Sequence, residues 1–148
     1  MMQPTSLPPK HLSAGIVLVH HDGTRFRFLC LRAFEAWDFP KAPVDDESEA
    51  VTAAIEELRE STGIEDPAFH WGEDYRETVP FDDNTVSRYY LAESPTMDVD
   101  LRVPFAAEAR EDYEYRWTTV DEAEDLLPPR LALVLDWAVN LLARPSKR

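Results

Sequence analysis

The chain has 148 residues and a formal net charge of −14, a length that predicts one domain with an ordinary hydrophobic core. The acidity argues against binding of long nucleic acid, which requires a basic surface. The single cysteine, Cys30, excludes an intrachain disulfide, and the N-terminal segment has no apolar signal core, so we expect a cytoplasmic protein that does not bind membranes.

The first part of the chain predicts two strands and a loop. Apolar stretches at 12–20 and 25–32 are typical of strands, and Asp22-Gly23 between them is a strong hairpin signal. Cys30 lies inside the second stretch and is therefore expected to be a packed thiol. Residues 33–45 are predicted to form a loop with a short extended piece from residue 37 to 40.

An amphipathic helix is predicted from residue 46 to 62. Asp46 and Glu49 suit a capping pair, and Gly63 suits the left-handed position after a helix end. Apolar residues recur at the spacing of one buried face, at Val51, Ala54, Ile55 and Leu58. Glu57 lies on the edge of this stripe, so it either faces a cleft that suits a hard cation or belongs to a solvated acidic surface.

The second part of the chain adds strands and two helices. The predicted extended segments are 66–80, 85–93, a short piece near 99–103, and 114–118. Thr119 is predicted to cap a helix at 120–127, and Pro129 to begin the last helix, which ends near Leu142. The order of elements indicates an α/β (α+β) fold with a mixed sheet between helices. We expect one domain from 11 to 144, with a mobile leader at 1–10 and a tail at 145–148.

The segment from Ala42 to Ile64, APVDDESEAVTAAIEELRESTGI, resembles the Nudix box, the signature of hydrolases that split diphosphate linkages. When the second glycine of the box is set on Gly63, the matching positions are Glu57, Leu58, Glu60, Gly63 and Ile64. Four positions depart from the box, namely Ala42, Ser48, Glu56 and Ser61, which replace Gly, Glu, Arg and Glu. Glu47, one place out of register, is an alternative for the missing first glutamate.

The flanking sequence, from about Leu12 to Ala138, is similar to the asymmetric diadenosine tetraphosphate hydrolases of the same superfamily. Residues 37–42, WDFPKA, nearly match the Trp-any-any-Pro-Lys-Gly run of that group. The resemblance implies a Nudix-like α/β/α sandwich with a central mixed β-sheet. It also implies a metal-dependent pyrophosphohydrolase that uses Mg²⁺ or Mn²⁺ and acts on a nucleoside polyphosphate, with diadenosine tetraphosphate favoured.

The resemblance also implies a set of site residues, each of which has an ordinary surface or strand residue as its alternative. Catalytic and metal-binding roles fall on Glu57, Glu60 and Glu111, with the Ala42 carbonyl as a further metal ligand; Asp112 or Glu114 replaces Glu111 if the register shifts. Phosphate contacts are expected from Lys41, Arg32 and Arg76. Tyr89 is expected to stack on a nucleobase, and Trp37 to contribute to substrate binding while being partly structural.

Two of the four departures from the Nudix box affect the expected catalytic activity. Ser61 removes a carboxylate, and Glu56 places a like charge beside Glu57, so we expect low activity. The alternative is a catalytically impaired scaffold that binds a nucleotide or a partner protein. Hydrolysis of an RNA cap or a 5′-triphosphate is a third hypothesis, which the negative charge disfavours. We expect a monomer or a homodimer.

Overall fold

The computed structural model describes residues 11–82, 84–102 and 112–144. The predicted leader, the predicted tail and Glu111 lie outside these ranges. No helix in the described ranges has both the length and the apolar character needed to cross a lipid bilayer.

Seven described strands form one mixed sheet. They are β1 (His11–His21), β2 (Phe26–Ala33), β3 (Ala36–Asp38), β4 (Lys41–Val44), β5 (Tyr75–Glu77), β6 (Thr85–Glu93) and β7 (Tyr113–Thr118). The main order is β3-β2-β1-β6-β5, with β4 on β1 and β7 on β2. The pair β1–β6 is parallel and the other pairs are antiparallel, which confirms the predicted mixed sheet.

Within the described ranges, three α-helices pack on the two faces of this sheet. They are α1 (Ala50–Thr62), α2 (Val120–Leu126) and α3 (Ala132–Leu142). Helix α1 covers a buried cluster on one face that includes Ile16, Leu29 and Leu58. Helices α2 and α3 cover the other face, where alternate residues of the same strands point. The predicted α/β/α sandwich is therefore confirmed.

The ends of the helices follow local sequence signals, with some corrections. The predicted helix 46–62 is a 3₁₀ turn at Glu47–Glu49 followed by α1, and Asp46 caps this turn by accepting a hydrogen bond from the backbone N–H of Ser48 at 3.0 Å. Gly63 has φ of 76°, as predicted for a helix end. Thr119 caps α2 as expected, and α3 is preceded by a 3₁₀ turn at Pro129–Leu131.

Three predicted segments differ in the structure. The loop predicted at 33–45 contains β3, which overlaps the extended piece predicted at 37–40, and β4, whose pairing with β1 the local pattern does not reveal. The extended segment predicted at 66–80 contains only the short strand β5. Residues 99–102 form no strand, and Val103 lies outside the described residues.

One edge of β1 is shared by two strands, which splits the sheet. Strand β4 pairs with β1 at residues 12–15, and β2 pairs with it at residues 19–21. Between these two stretches the backbone N–H of Ile16 donates to the carbonyl of Pro40 at 3.1 Å. Gly15 permits this close approach, since a Cβ there would overlap the Pro40 oxygen and lie 2.7 Å from Lys41 Cβ.

Candidate functional site

A cleft of about 680 Å³ lies beside the split in the sheet. Its described walls are the end of β2, the link from β3 to β4, the C-terminal half of α1, and side chains from Leu101, Arg102, Tyr113 and Arg130. Four residues predicted from the sequence line it together: Arg32, Lys41, Glu57 and Glu60. The structure therefore brings acidic and basic candidates to one place.

The acidic wall of the cleft belongs to α1. Glu57 and Glu60 are three residues apart and so share one face of the helix, and both line the cleft with Ser61. Burial raises the pKa of Glu57, and the neighbouring Glu60 carboxylate raises it further. Ser61 Oγ donates to the backbone carbonyl of Glu57 at 2.8 Å, so this hydroxyl is engaged by its own helix. Glu56 is exposed.

The donor chemistry of this wall fits a magnesium ion. Mg²⁺ is commonly bound by one or two carboxylates together with water and substrate phosphates, and Glu57 and Glu60 supply two carboxylates. A cation between them would also relieve the like-charge repulsion that raises the Glu57 pKa. The described ranges contain no group of three His, Cys, Asp or Glu residues arranged for a metal. Glu111, the predicted third carboxylate, lies outside those ranges.

Neither Ala42 nor Glu47 is part of this acidic wall. Ala42 lies in β4 opposite Ala14, directly after Lys41, which lines the cleft. Glu47 binds Arg88 at 2.6 Å, and Arg88 also binds Glu77 at 2.7 Å. Glu47 is thus part of a separate ion-pair cluster that ties the start of α1 to β5. It does not replace the missing first glutamate of the box in the cleft.

The basic end of the cleft is organised by Asp38. Its Oδ2 atom lies 3.2 Å from Lys41 Nζ and 3.0 Å from an Arg130 guanidinium nitrogen. Both cations also lie over the ring of Phe81, at 5.3 Å and 4.5 Å from its centroid. Lys41 Nζ donates in addition to Ser87 Oγ at 3.1 Å. Two cations share one carboxylate here, which leaves this end of the cleft with net positive charge.

Sequence reasoning did not find Asp38 and Arg130. Asp38 has a detectable signal, because it lies between Trp37 and Pro40 in the run that carries the family resemblance. Arg130 follows Pro128-Pro129 at the start of the last helix, and no local pattern assigns it to the cleft. Its Nε atom is buried without a hydrogen-bond partner, which marks an unsatisfied donor at this end of the cleft.

Tyr89 does not have the predicted position. Its side chain is fully buried, its ring packs edge-on against Phe39, and its hydroxyl donates to Asp38 Oδ1 at 2.7 Å. A fully buried ring presents no face on which a nucleobase can stack. Strand β6 is buried on both sides by flanking layers, and sequence alternation alone does not reveal this.

The remaining predicted contacts also have other roles in the structure. Arg32 donates to the carbonyl of Phe34 at 2.6 Å and to Glu114 at 3.1 Å, so it braces the turn after β2 as well as lining the cleft. Trp37 packs against the core on the α3 side, with a guanidinium 5.1 Å from its ring centroid. Arg76 lies exposed on β5, at the far end of the sheet order from β3, and does not line the cleft.

Comparison with known proteins gives consistent matches. The family model for the NUDIX domain matches residues 9–138. The asymmetrical bis(5′-nucleosyl)-tetraphosphatase of Rattus norvegicus is 33% identical over 112 residues, which cover 69% of this chain and 70% of that protein. The Mus musculus protein of the same name is 31% identical over the same shares.

A solved structure shows the same fold. In the binary complex of an Ap4A hydrolase from C. elegans, the matched region covers 88% of this chain and 98% of that one, with a TM-score of 0.74 and 22% identity. The structure of a MutT protein from Methanosarcina mazei gives a TM-score of 0.64 at 18% identity, covering 95% of this chain and 100% of that chain.

Proposed function

The chain belongs to the Nudix hydrolase family, and we propose that it cleaves a diphosphate linkage in a nucleoside polyphosphate, with diadenosine tetraphosphate as the favoured substrate. The observation that carries this proposal is that the α1 carboxylates line the same cleft as the Lys41–Arg130 pair. A polyphosphate chain requires both cationic contacts and a place for a divalent ion, and this cleft supplies residues for each.

The basic end of the cleft binds and orients the phosphates. Lys41 offers a compact positive charge, and Arg130 lines the cleft with a planar guanidinium. Asp38 holds both side chains in place before substrate arrives, which lowers the ordering cost of binding. Placing positive charge beside the phosphates also stabilises the negative charge that develops as the linkage breaks.

The α1 carboxylates are proposed to hold Mg²⁺ or Mn²⁺, with Glu111 as the third acid and the Ala42 carbonyl as a further oxygen ligand. When bound, such an ion polarises phosphorus and lowers the pKa of water. Glu57 is the central residue of this set, since its side chain is half-buried on α1 and lines the cleft. As an alternative to direct metal binding, Glu57 is proposed to take a proton from the attacking water.

We propose that activity is low compared with a complete box. Ser61 adds no charge to the acidic wall, and its hydroxyl is bonded to the helix backbone. That observation also favours the second candidate function, a scaffold that binds a nucleotide without consuming it. The two functions share one cleft and differ only in turnover.

The test is incubation of purified protein with diadenosine tetraphosphate and Mg²⁺, with products resolved by ion-exchange chromatography. We expect ATP and AMP in equal amounts, from addition of one water across one linkage. Glu57→Gln should abolish the products, whereas Glu56→Gln, a matched change at the exposed neighbour, should retain them. Calorimetry with the same nucleotide separates the second candidate: binding without products supports it, and neither binding nor products contradicts both.

We further propose that the partners are small nucleotides rather than long nucleic acid, and that the protein acts in the cytoplasm as a monomer or a homodimer. The net charge of −14 supports the first of these statements. Light scattering coupled to gel filtration tests the oligomeric state, and a mass of three or more chains would contradict the proposal.

A further inference from the structure

Two cations lie close together at the basic end of the cleft. Lys41 Nζ and a guanidinium nitrogen of Arg130 contact the same Asp38 oxygen, at 3.2 Å and 3.0 Å. Lys41 belongs to β4 and Arg130 to the 3₁₀ turn before α3, so the fold brings two distant parts of the chain together here. Like charges repel at such a separation, and one carboxylate offsets only one of the two charges. The pair therefore needs a second source of stabilisation.

The ring of Phe81 contacts both members of this pair. Its centroid lies 5.3 Å from Lys41 Nζ and 4.5 Å from Arg130 Cζ, within the range of cation–π interactions. Arg130 Nε, which is bonded to Cζ, is buried without a hydrogen-bond partner in the described chain. The π electrons next to the guanidinium offset part of the cost of burying that donor. Phe81 thus supplies an attraction that Asp38 alone does not.

The turn between β5 and β6 holds this ring in place. Phe81 N–H donates to the Thr85 carbonyl at 2.9 Å, and Thr85 N–H donates to the Phe81 carbonyl at 2.8 Å. Two residues further along, Ser87 Oγ accepts a hydrogen bond from Lys41 Nζ at 3.1 Å. One segment of the chain therefore supports Lys41 twice, through the aromatic ring and through a hydrogen bond.

Core packing does not account for this aromatic residue. Phe81 is partly exposed, and neither buried apolar cluster of the described residues includes it. The described lining of the cleft does not include it either, so an effect on a ligand must pass through Lys41 and Arg130. An aromatic ring attracts cations through its quadrupole and carries no net charge. The ring can therefore hold the two cations without cancelling the positive charge that a phosphate chain requires, whereas a second carboxylate would cancel it.

We propose that Phe81 is a positioning residue for phosphate binding, which holds Lys41 and Arg130 together by cation–π attraction. This inference rests on the proposed function and adds a residue to its phosphate site that does not touch the ligand. Asp38 and Phe81 divide the task, since the carboxylate offsets one charge and the ring stabilises the pair while the other charge stays available. The affinity of the cleft for phosphate then depends on the electron density of the ring more than on its size.

The test measures binding of inorganic tripolyphosphate by calorimetry in the presence of Mg²⁺, because this ligand carries phosphates and no base. Phe81 is replaced in the full chain, by stop-codon suppression, with phenylalanine analogues that carry one, two and three ring fluorines. Each fluorine withdraws electron density from the π face and changes the size of the ring little. Kd should rise with each added fluorine, on the order of fivefold over the series. A Kd that stays constant over the series would overturn the proposal.

The same analogues at Phe34 are the matched control. Phe34 is an exposed phenylalanine in another turn, its ring contacts Tyr113, and it does not line the cleft in the described chain. Fluorination there should leave Kd for tripolyphosphate unchanged. An equal rise of Kd at both positions would show that fluorine acts on the protein in general, which contradicts a specific role for Phe81.

Two ordinary variants separate cation–π attraction from packing. Phe81→Tyr keeps the aromatic ring and should bind tripolyphosphate as tightly as the unmodified protein does. Phe81→Leu keeps an apolar side chain without π electrons and should weaken binding on the order of fivefold. Unchanged binding by Phe81→Leu would overturn the proposal. If Phe81→Leu does not fold, the fluorinated series decides, because its members keep the shape of the ring.

The outcome for the proposed function is measured separately, as hydrolysis of diadenosine tetraphosphate. A Kd that rises along the fluorinated series, in a protein without hydrolysis, retains the role of Phe81 and removes the catalytic proposal. Hydrolysis together with a constant Kd along the series does the reverse. If the unmodified protein does not bind tripolyphosphate, the role of Phe81 in phosphate binding is overturned.

Discussion

The hydroxyl of Tyr89 donates to Asp38 Oδ1 at 2.7 Å, and the other oxygen of that carboxylate holds Lys41 and Arg130. Burial raises the pKa of Tyr89, and the adjacent carboxylate raises it further, so the hydroxyl stays protonated and remains a donor. A core residue thus fixes the counter-ion of the cationic end of the cleft. Tyr89 is a positioning residue and does not itself reach the ligand.

Tyr89→Phe should therefore affect both stability and substrate binding. The ring is retained, but a buried hydrogen bond to a charged group is lost, which costs about 1.5–3 kcal/mol of unfolding free energy. KM for diadenosine tetraphosphate should rise, since Lys41 and Arg130 lose part of their support. Urea denaturation and steady-state kinetics measure the two effects. Tyr115→Phe is the control at an exposed tyrosine, and equal behaviour of the two variants would contradict the assigned role.

Gly15→Ala should distort the cleft by displacing the link between β3 and β4, which forms part of its wall. A methyl group at this position would overlap the Pro40 carbonyl oxygen and lie 3.1 Å from the Tyr89 ring. The link that carries Lys41 must then move, at a cost of about 1–3 kcal/mol in unfolding free energy and with a fall in kcat/KM.

Gly23→Ala provides the contrast for this prediction. Gly23 has φ of 102° and open space around it, so alanine there strains the backbone of a distant turn without touching the cleft. It should lower the denaturation midpoint and leave kcat/KM unchanged. A Gly15→Ala protein with normal kinetics would show that the link tolerates the displacement.

Cys30 should be unreactive in the folded protein. Burial raises the pKa of Cys30 to about 12, so the thiolate is scarce at pH 8 and the sulfur is also shielded. Ellman's reagent should label one thiol per chain only after guanidinium is added. Because the folded pKa exceeds the unfolded one, the thiol favours folding fully below the unfolded pKa, and this contribution declines as pH rises from about 9 towards 12. Stoichiometric labelling of the native protein within minutes would contradict this prediction.

Restoration of the box should raise activity. Ser61→Glu adds a carboxylate beside Glu57 and Glu60 on the cleft wall, and Glu56→Arg replaces a like charge next to Glu57 with an opposite one. We expect the double variant to gain at least about tenfold in kcat/KM at limiting Mg²⁺, the scale on which residues that support metal ligands act. The change of either residue alone is the control, and a double variant no faster than the original chain would show that Ser61 belongs to a site with a different ligand set.

Local signals in the sequence predicted the helices and the longer strands well. The apolar spacing in residues 46–62, the glycine at 63 and the threonine at 119 act through bonds within a few residues, so each could be identified without the fold. Strand β3 overlaps the extended piece predicted at 37–40, whereas β4 was missed because it forms by pairing with β1, a strand distant in sequence.

Among site residues, Glu57 shows what helical periodicity can determine. Its place at the edge of the apolar stripe predicted a partly buried carboxylate, and the structure has it half-buried on the cleft wall. Tyr89 shows the opposite case, since its motif position indicated a ligand contact while the packing of β6 between two layers buries its ring.

The sequence by itself determined the mixed α/β architecture, the acidic helix and the family resemblance, because these depend on residues close together in the chain. Only the tertiary structure decided which side chains meet: Asp38 with Arg130, 92 positions apart, and Phe34 in the β2–β3 turn with Tyr113 on β7. Such pairings are set by strand register and helix packing, which sum weak contacts over the whole chain, so no local pattern contains them.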